Sequence, residues 1–133
     1  MRFMLIVKAD EKSEAGIMPD EHILGEMAKF NEKMVKAGVM LAGEGLQPSS
    51  KGARVKFHGG KSTVVDGPFA ETKELVGGFW LIQAKSKAEA IEWVKRSPFQ
   101  EGEVEIRQVF ELEDFAPSPA VEHHKRVGEQ LKK

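Results

Sequence analysis

The chain has 133 residues, of which 20 are Lys or Arg and 21 are Asp or Glu, so its formal net charge is −1, and it contains no cysteine. This length predicts one domain with a core of ordinary size. The absence of cysteine excludes disulfides, thiolate metal sites and a Cys nucleophile. The balanced charge, with no basic stripe interleaved with aromatic residues, argues against direct nucleic-acid binding.

The start of the chain predicts a β-strand at residues 3–8 rather than a targeting segment. Its apolar run is too short to span a membrane and lacks a small-residue cleavage site, so we expect a soluble cytoplasmic protein without a membrane partner. A helix is predicted from about Pro19 to Gly38, because apolar residues recur there at helical spacing. These apolar residues are Ile23, Met27, Phe30 and Met34. A second strand is predicted at residues 39–42.

Two alternating segments in the middle of the chain, residues 54–58 and 62–65, predict a β-hairpin. The Gly59-Gly60 pair between them is a turn signal. A further strand follows at residues 78–83, with apolar side chains on both faces. Ile82 is assigned to the face of this strand that lies away from the helices.

The last third of the chain predicts a helix, a strand and a tail. A capping box at Ser86 marks the start of the helix, which ends at Ser97-Pro98. The strand is predicted at residues 103–112. Composition then shifts towards proline, so we divide the chain into a domain at 1–115 and a segment at 116–133. This segment is predicted to be a short helix or a frayed tail, with Ala120, His124, Val127 and Leu131 at helical spacing.

The order of these elements predicts an α+β fold. With the hairpin set aside, β-α-β followed by β-α-β is the split ferredoxin-like arrangement, here with an inserted β-hairpin. Right-handed crossovers place both helices on one face of the sheet. Residues 3–7 and 79–82 are apolar on both faces, so the second face also needs a cover. We therefore predict a homodimer in which the second faces of two copies stack.

The best identifier in the chain is Asp66-Gly67-Pro68-Phe69, a turn followed by three charged residues within four positions. Gly67 is expected to supply backbone freedom at this turn, which should make Gly67→Val more harmful than Lys73→Ala. The run resembles the motif of the DGPF subfamily of YCII-related proteins. Further matching pieces are Gly43-Glu44-Gly45-Leu46-Gln47-Pro48, Gly77-Gly78-Phe79 and Val104-Glu105-Ile106-Arg107. The resemblance implies a dimeric α+β barrel, and it implies no particular reaction.

The second face of the sheet is where we expect a ligand. Strand alternation turns Arg107 and Glu105 away from the helix-covered core and into the space between two stacked sheets. A buried charge requires a partner, so Arg107 is expected to meet carboxylates or a ligand anion. An anionic or carbonyl-bearing small molecule would suit a guanidinium.

The DGPF run contributes further candidates, each with a structural alternative. Asp66 is either a catalytic carboxylate at the pocket mouth or an Asx-turn residue. Glu71 and Glu74 are either an acid–base pair on one helical turn or solvated charges paired locally with Lys73. Phe69 is grouped with the ligand-binding residues.

The histidines offer one catalytic candidate and no metal site. His22 lies on the polar face of the first helix and is either solvent-facing or catalytic. The resemblance supports the catalytic role, because some YCII-related proteins carry a His early in this helix, partnered with an Asp. His58 is predicted to be a surface residue. The adjacent His123 and His124 would point to different sides of a helix, which makes a shared metal site unfavourable. No spacing typical of metal ligands or of a phosphate loop occurs, so we predict no metal and no cofactor.

Three functions are compatible with these observations. The first is binding of a small molecule in the homodimer, with or without cofactor-free acid–base chemistry on it. The second is a non-enzymatic accessory role in regulation, since members of the family are often encoded beside extracytoplasmic-function sigma factors, with the C-terminal helix as a docking element. The third is a homodimer in which the Asp66-Gly67-Pro68-Phe69 motif has only a structural role, as a turn.

Overall fold

A computed structural model describes residues 1–71 and 74–132, and the predicted local pairing of Lys73 lies outside them. Its main sheet has four antiparallel strands in the order β2-β5-β1-β6. These strands are β1 (Arg2–Lys8), β2 (Met40–Gly45), β5 (Val76–Gln83) and β6 (Val104–Gln108). The order is that of a split β-α-β sheet, so the predicted ferredoxin-like α+β fold is confirmed.

The helices begin where the sequence carries capping residues. They are the single turn α1 (Glu11–Glu14), α2 (Glu21–Lys36), α3 (Lys87–Lys95) and the C-terminal α4 (Pro119–Leu131). The side chain of Asp20 accepts the N–H of Ile23 at the start of α2, and Ser86 accepts that of Glu89 at the start of α3. Within the described residues, none of these helices is long and apolar enough to cross a bilayer.

The predicted hairpin is confirmed and stands apart from the main sheet. Strands β3 (Ala53–His58) and β4 (Lys61–Asp66) pair with each other in a two-stranded sheet. Gly59 and Gly60 turn the chain with φ of 56° and 79°. This region of φ is open to glycine at little cost, which explains the choice of residue at both positions.

The core lies between the sheet and helices α2 and α3. Phe3 pairs with Ile82 and Leu5 with Trp80 across β1 and β5, and all four side chains are buried. Phe30 and Met34 of α2 are buried in the same hydrophobic cluster, as is Ala90 of α3. Assigning Ile82 to the second face was wrong, because its side chain is 0% exposed within this helix-covered core. Alternation identifies which residues share a face, but not which face the helices cover.

The other face of the sheet carries the alternate residues of the same strands. Met4 pairs with Leu81 and Ile6 with Phe79, and all four side chains are half-buried in the single chain. These four residues are called the open face below. The predicted apolar character of both faces is thus confirmed.

Two strands differ in length from the prediction. Strand β2 runs on to Gly45 because Glu44 pairs with Phe79 and Gly45 with Gly78. Gly78 permits this approach, since a Cβ there would lie 2.8 Å from the Glu44 carbonyl oxygen.

Strand β6 is shorter than predicted and ends at Gln108. The N–H of Val109 still donates to the Arg2 carbonyl at 2.9 Å, but β1 has no earlier residue within the strand to pair with. Phe110 is therefore 73% exposed, with its ring 5.2 Å from that of Phe115, and does not join the core. Leu112 lies in a 3-10 turn at Leu112–Asp114.

Candidate functional site

A charged cluster lies beside the open face, on the edge strand β6. Met4 pairs with Arg107 and Ile6 with Glu105, so both charged residues are on the side away from the helices, as predicted. Nη1 of Arg107 donates to Oε2 of Glu105 at 3.2 Å, and Nζ of Lys8 lies 3.3 Å from Oε1 of the same carboxylate. Two cations thus share one anion on this face.

The electrostatics of this cluster make Glu105 a fixed negative charge. Its hydrogen bond with Arg107 lowers the pKa of Glu105 from its ordinary value, and Lys8 lowers it further. A carboxyl with a lowered pKa is ionised at neutral pH and has no proton to give. Arg107 itself is 70% exposed in the single chain and makes one hydrogen bond to Glu105 rather than a two-pronged pair. It therefore retains donors for another acceptor.

The DGPF turn (residues 66–69) packs against the neighbouring turn at residues 48–52, through a glycine that has no room for a side chain. A Cβ on Gly67 would lie 1.8 Å from the Ser49 carbonyl oxygen, and the N–H of Gly67 donates to the Gly52 carbonyl at 3.1 Å. The expectation that Gly67 supplies backbone freedom was wrong in its reason, because its φ is not in the positive region. Close approach of two backbones is what requires glycine here.

Phe69 is held by a chain of hydrogen bonds that begins in α1. The N–H of Ser49 donates to Oε2 of Glu14 at 2.9 Å, and the Ser49 hydroxyl donates to Oε1 of the same carboxylate. The N–H of Phe69 donates in turn to the Ser49 hydroxyl oxygen at 3.1 Å. Sequence reasoning missed Glu14 and Ser49, which are 35 residues apart and belong to no local motif.

The guanidinium of Arg54 lies over the ring of Phe69. Its guanidinium carbon is 3.8 Å from the ring centroid, within the range of a cation–π contact. Nη1 of Arg54 is 3.9 Å from Oε2 of Glu71, which is an ion-pair distance but too long for a hydrogen bond. Arg54 and Phe69 line a cavity of about 350 Å³, together with Glu14, Ser49, Lys51 and Leu75. We call this the DGPF cavity. Sequence reasoning also missed Arg54.

A second cavity of about 300 Å³ lies between α2 and the sheet. Its lining includes Met27, Asn31, Phe99 and the glycine-rich parts of β2 and β5. The indole N–H of Trp80 donates to Oδ1 of Asn31 at 2.9 Å, which satisfies the one polar group of this buried ring. The cavity is mainly apolar.

The remaining predicted site residues are distributed over separate elements. His22 is exposed in the first turn of α2, Asp66 is exposed at the end of β4, and Glu74 is exposed before β5. Among the residues that the structure describes, no hydrogen bond or ion pair joins any two of His22, Asp66 and Glu71. Residues 1–71 and 74–132 also contain no cluster of three metal-binding side chains.

The fold and these features define a ferredoxin-like α+β protein with two cavities of ligand size and a charged cluster beside an apolar open face. A profile of the YCII-related domain matches residues 1–113, and the chain belongs to that family. An uncharacterised protein of Rhizobium meliloti (strain 1021) is 36% identical over 76 residues, which are 57% of this chain and 61% of that protein's length.

A solved structure found in the comparison is that of 5-chloro-2-hydroxyhydroquinone dehydrochlorinase from Burkholderia phenoliruptrix AC1100, in complex with 2,5-dihydroxybenzoquinone. It is 15% identical, with a TM-score of 0.46 over 83% of this chain and 94% of the other.

Proposed function

We propose that this protein binds a small anionic or carbonyl-bearing molecule in a pocket formed when the open faces of two copies stack. The observation that carries the proposal is the cluster on β6, where Lys8 and Arg107 converge on the single carboxylate of Glu105. With two positive charges and one negative charge, the cluster is complementary to a ligand anion. Arg107, with its remaining donors, is the proposed contact.

The apolar open face supports the proposed homodimer. Met4, Ile6, Phe79 and Leu81 are half-buried in one chain, so a second copy would remove their remaining surface from water. Completing this burial would contribute roughly 1 kcal/mol per side chain in each subunit. The charged cluster lies on the edge strand, at the rim of this face, where a ligand could enter from solvent.

Binding is better supported than catalysis. Glu105 is held ionised by its two cations, so it serves as a charge partner rather than a proton donor. Cofactor-free acid–base chemistry by His22, Asp66 and Glu71 stays a prediction, because no hydrogen bond or ion pair joins any two of these side chains within the described residues. Binding by Glu74, the DGPF subfamily assignment, the domain boundary after residue 115 and a cytoplasmic location likewise stay predictions.

Calorimetric titration with a panel of small carboxylates and their neutral amides tests the proposal. We expect Arg107→Met to keep the fold and to weaken carboxylate binding at the open face by roughly tenfold or more, as expected for a lost hydrogen bond to a charged group. Arg126→Met, on α4, is the matched control and should bind as the parent protein does. Equal binding by Arg107→Met and Arg126→Met would rule out this site.

A regulatory interaction through α4 is a second candidate. The predicted helix exists at Pro119–Leu131, and Val127 and Leu131 are exposed on it, with no residue of the helix buried. A double variant, Val127→Glu with Leu131→Glu, separates the two functions. The ligand proposal requires carboxylate binding to persist in it, whereas an interaction function would be lost.

A further inference from the structure

We propose that the DGPF cavity is a second binding site, distinct from the Arg107 cluster, and that it takes a small carboxylate with an apolar body through the guanidinium of Arg54. Nothing in the sequence motifs assigned Arg54 a role.

Arg54 is positioned by neighbours that are themselves fixed. The ring of Phe69 carries the guanidinium at 3.8 Å, and the Phe69 backbone is tied to Ser49, whose hydroxyl and N–H are both bound to Glu14. An arginine side chain loses much conformational entropy when it is immobilised. Because the stack already restricts Arg54, a ligand would bear less of this cost.

The contact with the Phe69 ring uses none of the N–H donors at the edge of the guanidinium. Arginine has five N–H donors in the plane of the group. Within residues 1–71 and 74–132, Glu71 is the one carboxylate within ion-pair distance of Arg54, and at 3.9 Å it makes no hydrogen bond. A carboxylate has two coplanar oxygens that match this edge, so it is the chemical group that the arrangement favours.

The rest of the cavity defines the body of the ligand. Its volume of about 350 Å³ lies in the range of small-molecule sites. Leu46, Leu75 and Val76 supply apolar walls, and Lys51 supplies a second cation. Glu14 also lines the cavity, but its two oxygens already accept hydrogen bonds from Ser49. A carboxylate carrying a short alkyl chain or one aromatic ring therefore fits the charge and the size.

Glu71 makes the proposal sharply testable, because it competes with the ligand for Arg54. The probes are butanoate and benzoate, with butanamide and benzamide as neutral controls, measured by calorimetry. We expect Arg54→Met to weaken carboxylate binding by roughly tenfold to a hundredfold. Glu71→Gln should strengthen it by about two- to fivefold, since it removes an exposed ion pair of modest energy. A purely structural Arg54–Phe69 stack would not produce this gain.

Arg107→Met distinguishes this site from the proposed function. If both proposed sites exist, the parent protein should bind two carboxylates per chain. Arg107→Met should then lose the open-face site and keep the DGPF cavity, and Arg54→Met should lose the DGPF cavity and keep the open-face site. Loss in Arg107→Met with full binding in Arg54→Met would support the open-face proposal and overturn this one. Three other results would also overturn the DGPF-cavity proposal. These are weaker carboxylate binding by Glu71→Gln, equal binding of acids and amides, and absence of binding by the parent protein. Far-ultraviolet circular dichroism checks that each variant is folded. If Arg54→Met does not fold, the carboxylate affinity of Glu71→Gln tests the proposal instead.

Discussion

Substitution of Gly67 by alanine tests how the DGPF turn is held in place. The added Cβ would lie 1.8 Å from the Ser49 carbonyl oxygen, 2.6 Å from the Ser49 carbonyl carbon and 3.3 Å from the Ser50 nitrogen. A normal contact to this oxygen needs well over 3 Å, so one of the two backbones must move by more than 1 Å. The clash is with backbone atoms, which have no alternative rotamer to adopt.

The expected loss of stability has two sources, which are the overpacked contact and the hydrogen bonds that the movement weakens. Overpacking a close contact costs about 1–3 kcal/mol. Separating the two turns would also weaken the bonds from Gly67 to Gly52 and from Phe69 to Ser49, at about 1 kcal/mol each. We therefore expect Gly67→Ala to lower the free energy of unfolding by about 3–5 kcal/mol, a fall in Tm of roughly 10–20 °C.

Urea unfolding followed by tryptophan fluorescence measures this change, because Trp80 is buried in the core. Gly45→Ala is the matched control, since a Cβ there meets nothing within 4 Å and its φ is not positive. If the two variants unfold within about 1 kcal/mol of each other, the close approach does not explain the glycine at position 67.

Two further predictions concern the open face and the acid stability of the chain. Leu81→Asp should convert the proposed homodimer to monomers in sedimentation velocity while Thr63→Asp in the hairpin should not, and a monomeric parent protein would refute the dimer. Glu105 and Glu111 have lowered pKa values in the folded chain, caused first by hydrogen bonds from Arg107 and Arg2. Their contribution to stability is therefore fully present above the ordinary glutamate pKa and is lost as pH falls through the lowered values. Chemical unfolding between about pH 7 and pH 3 should show a shallower loss for the Glu105→Gln/Glu111→Gln double variant than for the parent, and equal slopes would contradict this.

Local pattern was sufficient for much of the fold. Helical spacing and capping residues located α2 and α3, and alternation together with Gly59-Gly60 located the hairpin, because each signal lies within one element. The order of these elements then led to the correct sheet topology, since connections are short and right-handed. On β6, alternation together with the charge of Arg107 and Glu105 correctly placed these two side chains on the face away from the helices.

The details of the candidate site depended on contacts between distant segments. The sequence identified the DGPF turn as unusual, but only the fold brings Ser49 to Glu14 from 35 residues away and to Phe69 from 20 residues away. The role of Gly67, the stacking of Arg54 and the early end of β6 were decided in the same manner, by neighbours that no local pattern specifies. Periodicity predicts which residues of one element share a face. Which other segments of the chain contact that face depends on the packing of the whole chain.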